Sequence, residues 1–131
     1  MNVELLTKVR DALVYASQHD RELPLDLQQP KFDMMVMWSP PIEGHSCETA
    51  MCIAGLTVVL AGEDPEYTDA EGCIISKATE LLEISELNAE NLFFAKNSIL
   101  GWSRITPEMA TYAVNHLLET GEVEWPEEYR R

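Results

Sequence analysis

The stretch His45-Ser46-Cys47-Glu48-Thr49-Ala50-Met51-Cys52-Ile53-Ala54-Gly55, running on through Leu56 to Ala61-Gly62, decides how the 131-residue chain is read. Ser46 or Cys47 stands where a helix cap is wanted and an apolar run follows. Gly62 then stands where a left-handed residue ends a helix. The pattern predicts one helix from residue 46 or 47 to 61. It puts the Cys47 thiol at a helix N-terminus, a second thiol at Cys52, and small residues where a neighbouring helix can approach closely.

Working outward, the periodicity is helical on both sides. Leu5, Leu6, Val9, Leu13 and Ala16 share one face of a helix predicted over 3–17. Thr68-Asp69-Ala70-Glu71 has the form of a capping box and opens a third helix, with Ile74, Ile75, Ala78, Leu81 and Leu82 as its buried face. Ser85 is the expected cap of a fourth helix over 86–95, burying Leu87, Leu92 and Phe93 or Phe94. Thr106-Pro107-Glu108 combines a cap, a proline at the first helical position and an acid near the positive end of the helix dipole. The fifth helix, over 107–119, ends at Gly121. Trp125 and Tyr129 predict that the tail over 122–131 docks.

Residues 21–44 read differently. Pro24, Pro30, Pro40 and Pro41, four of the seven prolines, each remove an amide donor and fix φ, so no long helix crosses this stretch. A connection this long in a compact domain is often functional. Phe32-Asp33-Met34-Met35-Val36-Met37-Trp38 within it is too apolar for a solvated loop. It is expected to pack over the core as a short helical turn or an extended piece. The predicted fold is therefore all-α: a single domain of about five helices with a long proline-rich loop between the first two.

Composition narrows the function classes. With 46% hydrophobic residues the chain can bury a normal core, roughly two-thirds of its extended surface. Its 23 acidic and 9 basic residues leave a net charge of −14. Phosphate neutralisation needs Lys and Arg, so neither nucleic acid nor an anionic membrane is an expected direct partner. The same field attracts basic protein surfaces. No apolar run approaches the roughly 20 residues that span a bilayer. A first helix carrying Glu4, Lys8, Arg10 and Asp11 does not read as a signal peptide. Three cysteines, an odd number, read as reduced thiols in a cytoplasm.

The order of features resembles a widespread, uncharacterised family of small helical proteins from bacteria and their phages. The counterparts here are Pro30-Lys31-Phe32-Asp33-Met34, Trp38, Cys47 with Thr49, and Cys52-Ile53-Ala54-Gly55. Leu81-Leu82-Glu83-Ile84-Ser85 and Leu92-Phe93-Phe94-Ala95 follow, so the resemblance spans roughly residues 1–120. Glu48 stands where a Gly commonly follows the first Cys, and Ile84 where Leu is usual. Glu48 thereby removes a reason to expect close approach of that backbone to a ligand. The resemblance implies a fold and a phage or mobile-element setting; it carries no activity with it.

Several constellations compete for chemistry. His45, Cys47 and Cys52, with Cys73, His19 or His116 as a fourth ligand, would suit zinc, which takes four such donors in a structural site. On the predicted helix, however, Cys47 and Cys52 lie about 140° apart around the axis and do not converge. Cys52 reads more simply as a small buried hydrophobe. Cys47 beside His45 at a helix N-terminus favours a thiolate, but no orienting group or oxyanion site is legible, so an enzyme is not the leading expectation. The acids over 63–71 lack the alternating ligands and central glycine of a calcium loop. Met34, Met35 and Met37, with Phe32 and Trp38, suit either an adaptable groove or core filling, and core filling is the commoner role.

Charge placement is the stronger signal. From 61 to 90 there are nine acids against one base, Lys77, and Glu119, Glu122, Glu124, Glu127 and Glu128 follow before Arg130 and Arg131. The expected partner-binding face is Glu63, Asp64, Glu66, Glu80, Glu83, Glu86 and Glu90, beside the apolar loop of Phe32, Met34, Met35, Met37 and Trp38. The leading expectation is a small acidic protein-binding module, an inhibitor or adaptor docking on the basic surface of a nucleic-acid-binding protein. It needs no cofactor, and self-association is left open. A metal- or thiol-site protein centred on His45, Cys47 and Cys52 is the alternative.

Overall fold

The first helix, α1 (Val3–Gln18), starts where Asn2 folds back on it, its Oδ1 accepting the Leu5 amide at 3.1 Å. Helices leave their first amides without partners, and such a cap satisfies one of them. The apolar stripe Leu5, Leu6, Val9, Ala12, Leu13 and Ala16 is buried. Asn2 also donates its main-chain N–H to the Leu82 carbonyl at 2.7 Å and its side-chain amide to that of Leu81 at 3.1 Å. The beginning of α1 thus closes the end of α3 (Glu71–Leu82).

The computed structural model describes residues 1–25, 30–32, 38–39, 49–63, 71–93 and 105–126. Among these the fold is all-α, with five helices and one small sheet. α5 (Pro107–Thr120) forms as its sequence requires: Thr106 Oγ1 accepts the Met109 amide at 3.2 Å, Pro107 opens the first turn, and Gly121 ends it at φ 81°. α1 lies against α5. α2 (Ile53–Leu60) is buried continuously from Ile53 to Val58 and touches α1, α3 and α4 (Glu86–Phe93). A helix without a polar face can exist only inside such a core. Its one buried hydroxyl, Thr57 Oγ1, donates to the Ile53 carbonyl at 2.8 Å, so no polar group is stranded.

The helix expected from residue 46 or 47 begins instead at Ile53. Thr49–Met51 form β3, the centre of a sheet ordered β1-β3-β2, with β1 (Pro30–Phe32) parallel and β2 (Trp38–Ser39) antiparallel to it. Phe32 and Trp38 both register with Met51. A strand paired on both edges has partners for its amides and carbonyls, which outweighs the modest helix preference of this segment. Phe32 and Trp38 are accordingly extended, while Met34, Met35 and Met37 lie outside the described residues, as do the expected cap Thr68 and the aromatics Phe94 and Tyr129.

The later helices follow their patterns closely. Ile74, Ala78 and Leu82 of α3 are buried, with Ile75 and Leu81 half-buried. Ser85 Oγ accepts the Asn88 amide at 3.1 Å and caps α4, which buries Ala89, Leu92 and Phe93. Leu87 is a correction: it is 64% exposed, the most exposed large hydrophobic side chain described. The described part of the tail, residues 122–126, meets α4, with Trp125 buried and its Nε1–H donating to the Asn91 carbonyl at 2.8 Å. Asn88 Nδ2 reaches the Gly121 carbonyl at 3.0 Å and adds a second tie. No helix among the described residues is long and apolar enough to cross a membrane.

One side chain joins three parts of the chain. Arg21, at φ 70° just past α1, donates to the Phe32 carbonyl at 3.2 Å and to the Ile105 carbonyl at 3.1 Å. It links the α1 exit, strand β1 and the start of α5. Charge-assisted bonds of this kind are worth roughly 1.5–3 kcal/mol, so Arg21→Ala should lower unfolding free energy by about 2 kcal/mol in urea titration. Arg21→Lys should restore only part of it, because an ammonium cannot fork to two carbonyls as a guanidinium does. Trp125→Phe, which keeps the ring but loses the bond to Asn91, should cost about 1 kcal/mol in the same titration.

Candidate functional site

α3 and α4 are joined by a turn over 83–85 and flank an open groove of about 510 Å³. Ile75, Ser76, Thr79 and Glu80 line it from α3, Glu83 and Ile84 from the turn, and Glu86, Ala89 and Glu90 from α4. The positions 75, 76, 79 and 80 recur at helical spacing, so the α3 wall is one helix face. Although four glutamates line the groove, most of its exposed lining is apolar. Ile75 and Ile84 are half-buried and Ala89 is buried, and together they make a floor of aliphatic carbon. The Thr79 hydroxyl donates to the Ile75 carbonyl at 2.7 Å, which occupies its proton within the helix.

Four of the seven acids expected on a binding face therefore come together here: Glu80, Glu83, Glu86 and Glu90, all exposed. Among the described residues no basic group pairs with Glu80, Glu83 or Glu86. Lys77, the one base on α3, pairs at 3.6 Å with Glu63, which is not part of the groove lining. Asp64 and Glu66 lie outside the described residues. Glu86 gains a little locally, since an acid in the first turn of α4 meets the positive end of the helix dipole.

Glu83 loses locally. α2 and α3 end in the same motif: the left-handed residue donates its amide to the carbonyl three positions back, and the next residue donates to the carbonyl five positions back. After α2 the Gly62 amide reaches Val59 at 3.0 Å and the Glu63 amide reaches Val58 at 3.1 Å. After α3 the Glu83 amide reaches Glu80 at 3.1 Å and the Ile84 amide reaches Thr79 at 3.4 Å. The motif requires a left-handed residue and normally takes glycine. Gly62 fits at φ 83°, whereas Glu83 is held at φ 54° with a side chain that clashes with its own backbone there.

The other expected sites fare differently. Phe32 is a correction to the apolar binding loop: it is 1% exposed and belongs to the core, opposite the buried Met51 in the sheet. Cys52 is the N-cap of α2 and 2% exposed. His45 and Cys47 lie outside the described residues. α2 begins at Ile53, after β3, so its N-cap is Cys52 and its N-terminus is not at residue 46 or 47. His19 Nδ1 is bonded to the Tyr15 carbonyl at 2.7 Å and its ring stacks on Tyr15. His116 sits between the Glu122 carbonyl at 2.8 Å and the Glu124 carboxylate at 2.6 Å. Among the described residues no three His, Cys, Asp or Glu side chains are grouped to hold a metal ion.

Sequence reasoning missed the groove floor and the exposure of Leu87. A signal existed for Leu87: it lies five residues from Leu92, hence about 140° away from it around the helix, and cannot share its buried face. No family model, curated protein or solved structure matches the chain.

Glu83→Gly tests the strain directly. A left-handed residue with a side chain costs about 1–2 kcal/mol, against roughly 0.5–1 kcal/mol for the extra backbone freedom of glycine. The variant should therefore be more stable by about 0.5–1 kcal/mol in denaturant titration. A loss of stability would mean that the Glu83 side chain contributes to the fold.

Proposed function

We propose that this chain is a small acidic protein-binding module, an inhibitor or adaptor of phage or mobile-element setting, which docks through its α3–α4 face on the basic surface of a nucleic-acid-binding protein. The observation that carries this reading is the convergence of Glu80, Glu83 and Glu86, without basic partners among the described residues, on one apolar-floored groove. Carboxylates held near each other raise one another's energy, and a cationic surface relieves that repulsion while long-range attraction speeds encounter. The net charge of −14 makes a phosphate-bearing partner unsuitable for the same face. A protein that itself grips nucleic acid offers the complementary surface.

The test is capture on the tagged protein from nuclease-treated bacterial lysate, washed first at low and then at high salt. A basic protein should be retained in stoichiometric amount and leave at high salt, since exposed charges are screened beyond a Debye length of about 8 Å at physiological ionic strength. Glu80→Lys with Glu83→Lys and Glu86→Lys should abolish retention, and Cys47→Ser should leave it unchanged. Retention that survives the triple reversal sinks this reading, and so does loss of retention in Cys47→Ser alone.

A further inference from the structure

The groove floor and Leu87 carry the reading one step further, and the step rests on the protein-docking function proposed above. An acidic face meant only to repel its neighbours or stay hydrated has no use for exposed aliphatic carbon. Here Ile75, Ile84 and Ala89 lie between two walls of glutamate, and Leu87, 64% exposed, stands on α4 one position from Glu86. On a helix, Leu87 is only about 60° around the axis from Glu90, so it borders the lined face. The α3 wall, from Ile75 to Glu80, runs about 7.5 Å, between one and two helical turns, and the turn residues Glu83 and Ile84 extend it. That shape matches an elongated occupant with an apolar stripe and flanking charge, the pattern of helix-in-groove recognition.

Charge decides among occupants. A second copy would bring its own glutamates against these, and like charges across an interface are unfavourable. A purely cationic segment would satisfy the rim and leave the floor wet. We propose that the α3–α4 groove receives an amphipathic helix of a partner protein, its leucine-like side chains on Ile75, Ile84 and Ala89, with Leu87 at the margin, and its flanking lysines or arginines on Glu80, Glu83 and Glu86.

The experiment uses the full chain and two synthetic helix-forming peptides of equal length and equal positive charge. One carries leucines along a single face between its lysines; in the other those leucines are serines. Affinity is read by fluorescence anisotropy, and the contact surface by backbone and methyl NMR shifts. The leucine peptide should bind at least roughly ten-fold tighter, the factor that about 1.4 kcal/mol of apolar burial supplies. Its shifts should centre on Ile75, Ile84 and Ala89. Leu87→Ser, an exposed substitution that spares the core, should narrow the gap between the peptides. Glu80→Gln with Glu83→Gln and Glu86→Gln should weaken both peptides and flatten the salt dependence.

Equal affinity for the two peptides overturns the inference yet leaves charge-driven docking standing, because that reading is judged by the triple charge reversal in the lysate capture. Absence of binding by either peptide also overturns it. A mass that rises with protein concentration and is reduced by Leu87→Ser would put a second copy in the groove and overturn it as well.

Discussion

A helix with no polar face has to be surrounded on every side, and α2 is such a helix. Its residues from Ile53 to Val58 are buried without interruption, and α1, α3, α4 and β3 lie around it. This constraint organises the rest. Each surrounding helix turns its apolar stripe inward and therefore its charged face outward. α3 and α4 are consecutive and joined by a short turn, so their outward faces meet along a seam. The acidic groove is the outer edge of two helices whose inner faces are fixed by α2. The Asn2 bonds to the end of α3 and the Trp125 and Asn88 bonds at α4 hold the two walls from opposite ends of the chain.

Legibility in the sequence divides along the range of the forces involved. α1 and α5 were readable because their caps and stripes are local: Thr106, Pro107 and Gly121 each act on neighbouring backbone, and the structure puts each in its expected role. The sheet was not readable. β1, β2 and β3 are two or three residues long, too short for alternation to register, and β3 is held by partners many residues away. The start of α2 was misplaced for that reason, since Ser46 and Cys47 resemble a cap until Thr49–Met51 are drawn into the sheet.

The acidic face was half legible. Counting charges located Glu80, Glu83, Glu86 and Glu90, but only the packing of α3 against α4 brings them to one seam and puts Ile75, Ile84 and Ala89 between them. Leu87 shows the opposite failure. An apolar residue near a buried run was assigned inward, whereas the helix angle and the structure put it in solvent. Residues that break a local rule without a structural gain are where function is first sought.

Glu83 breaks such a rule on the same seam. The chain carries the glycine solution to an identical helix ending at Gly62, so the motif itself does not exclude glycine. A glutamate in the left-handed position raises the energy of the turn, and its carboxylate adds a further negative charge to a seam that already carries Glu80 and Glu86. Neither effect helps the chain fold. A cation on the seam offsets the charge and leaves the backbone strain in place. General acidity accounts for a −14 chain staying dispersed in water. It does not by itself require an acid at a left-handed helix ending, and under the docking proposed above Glu83 is one of the groups that a partner's cation would meet.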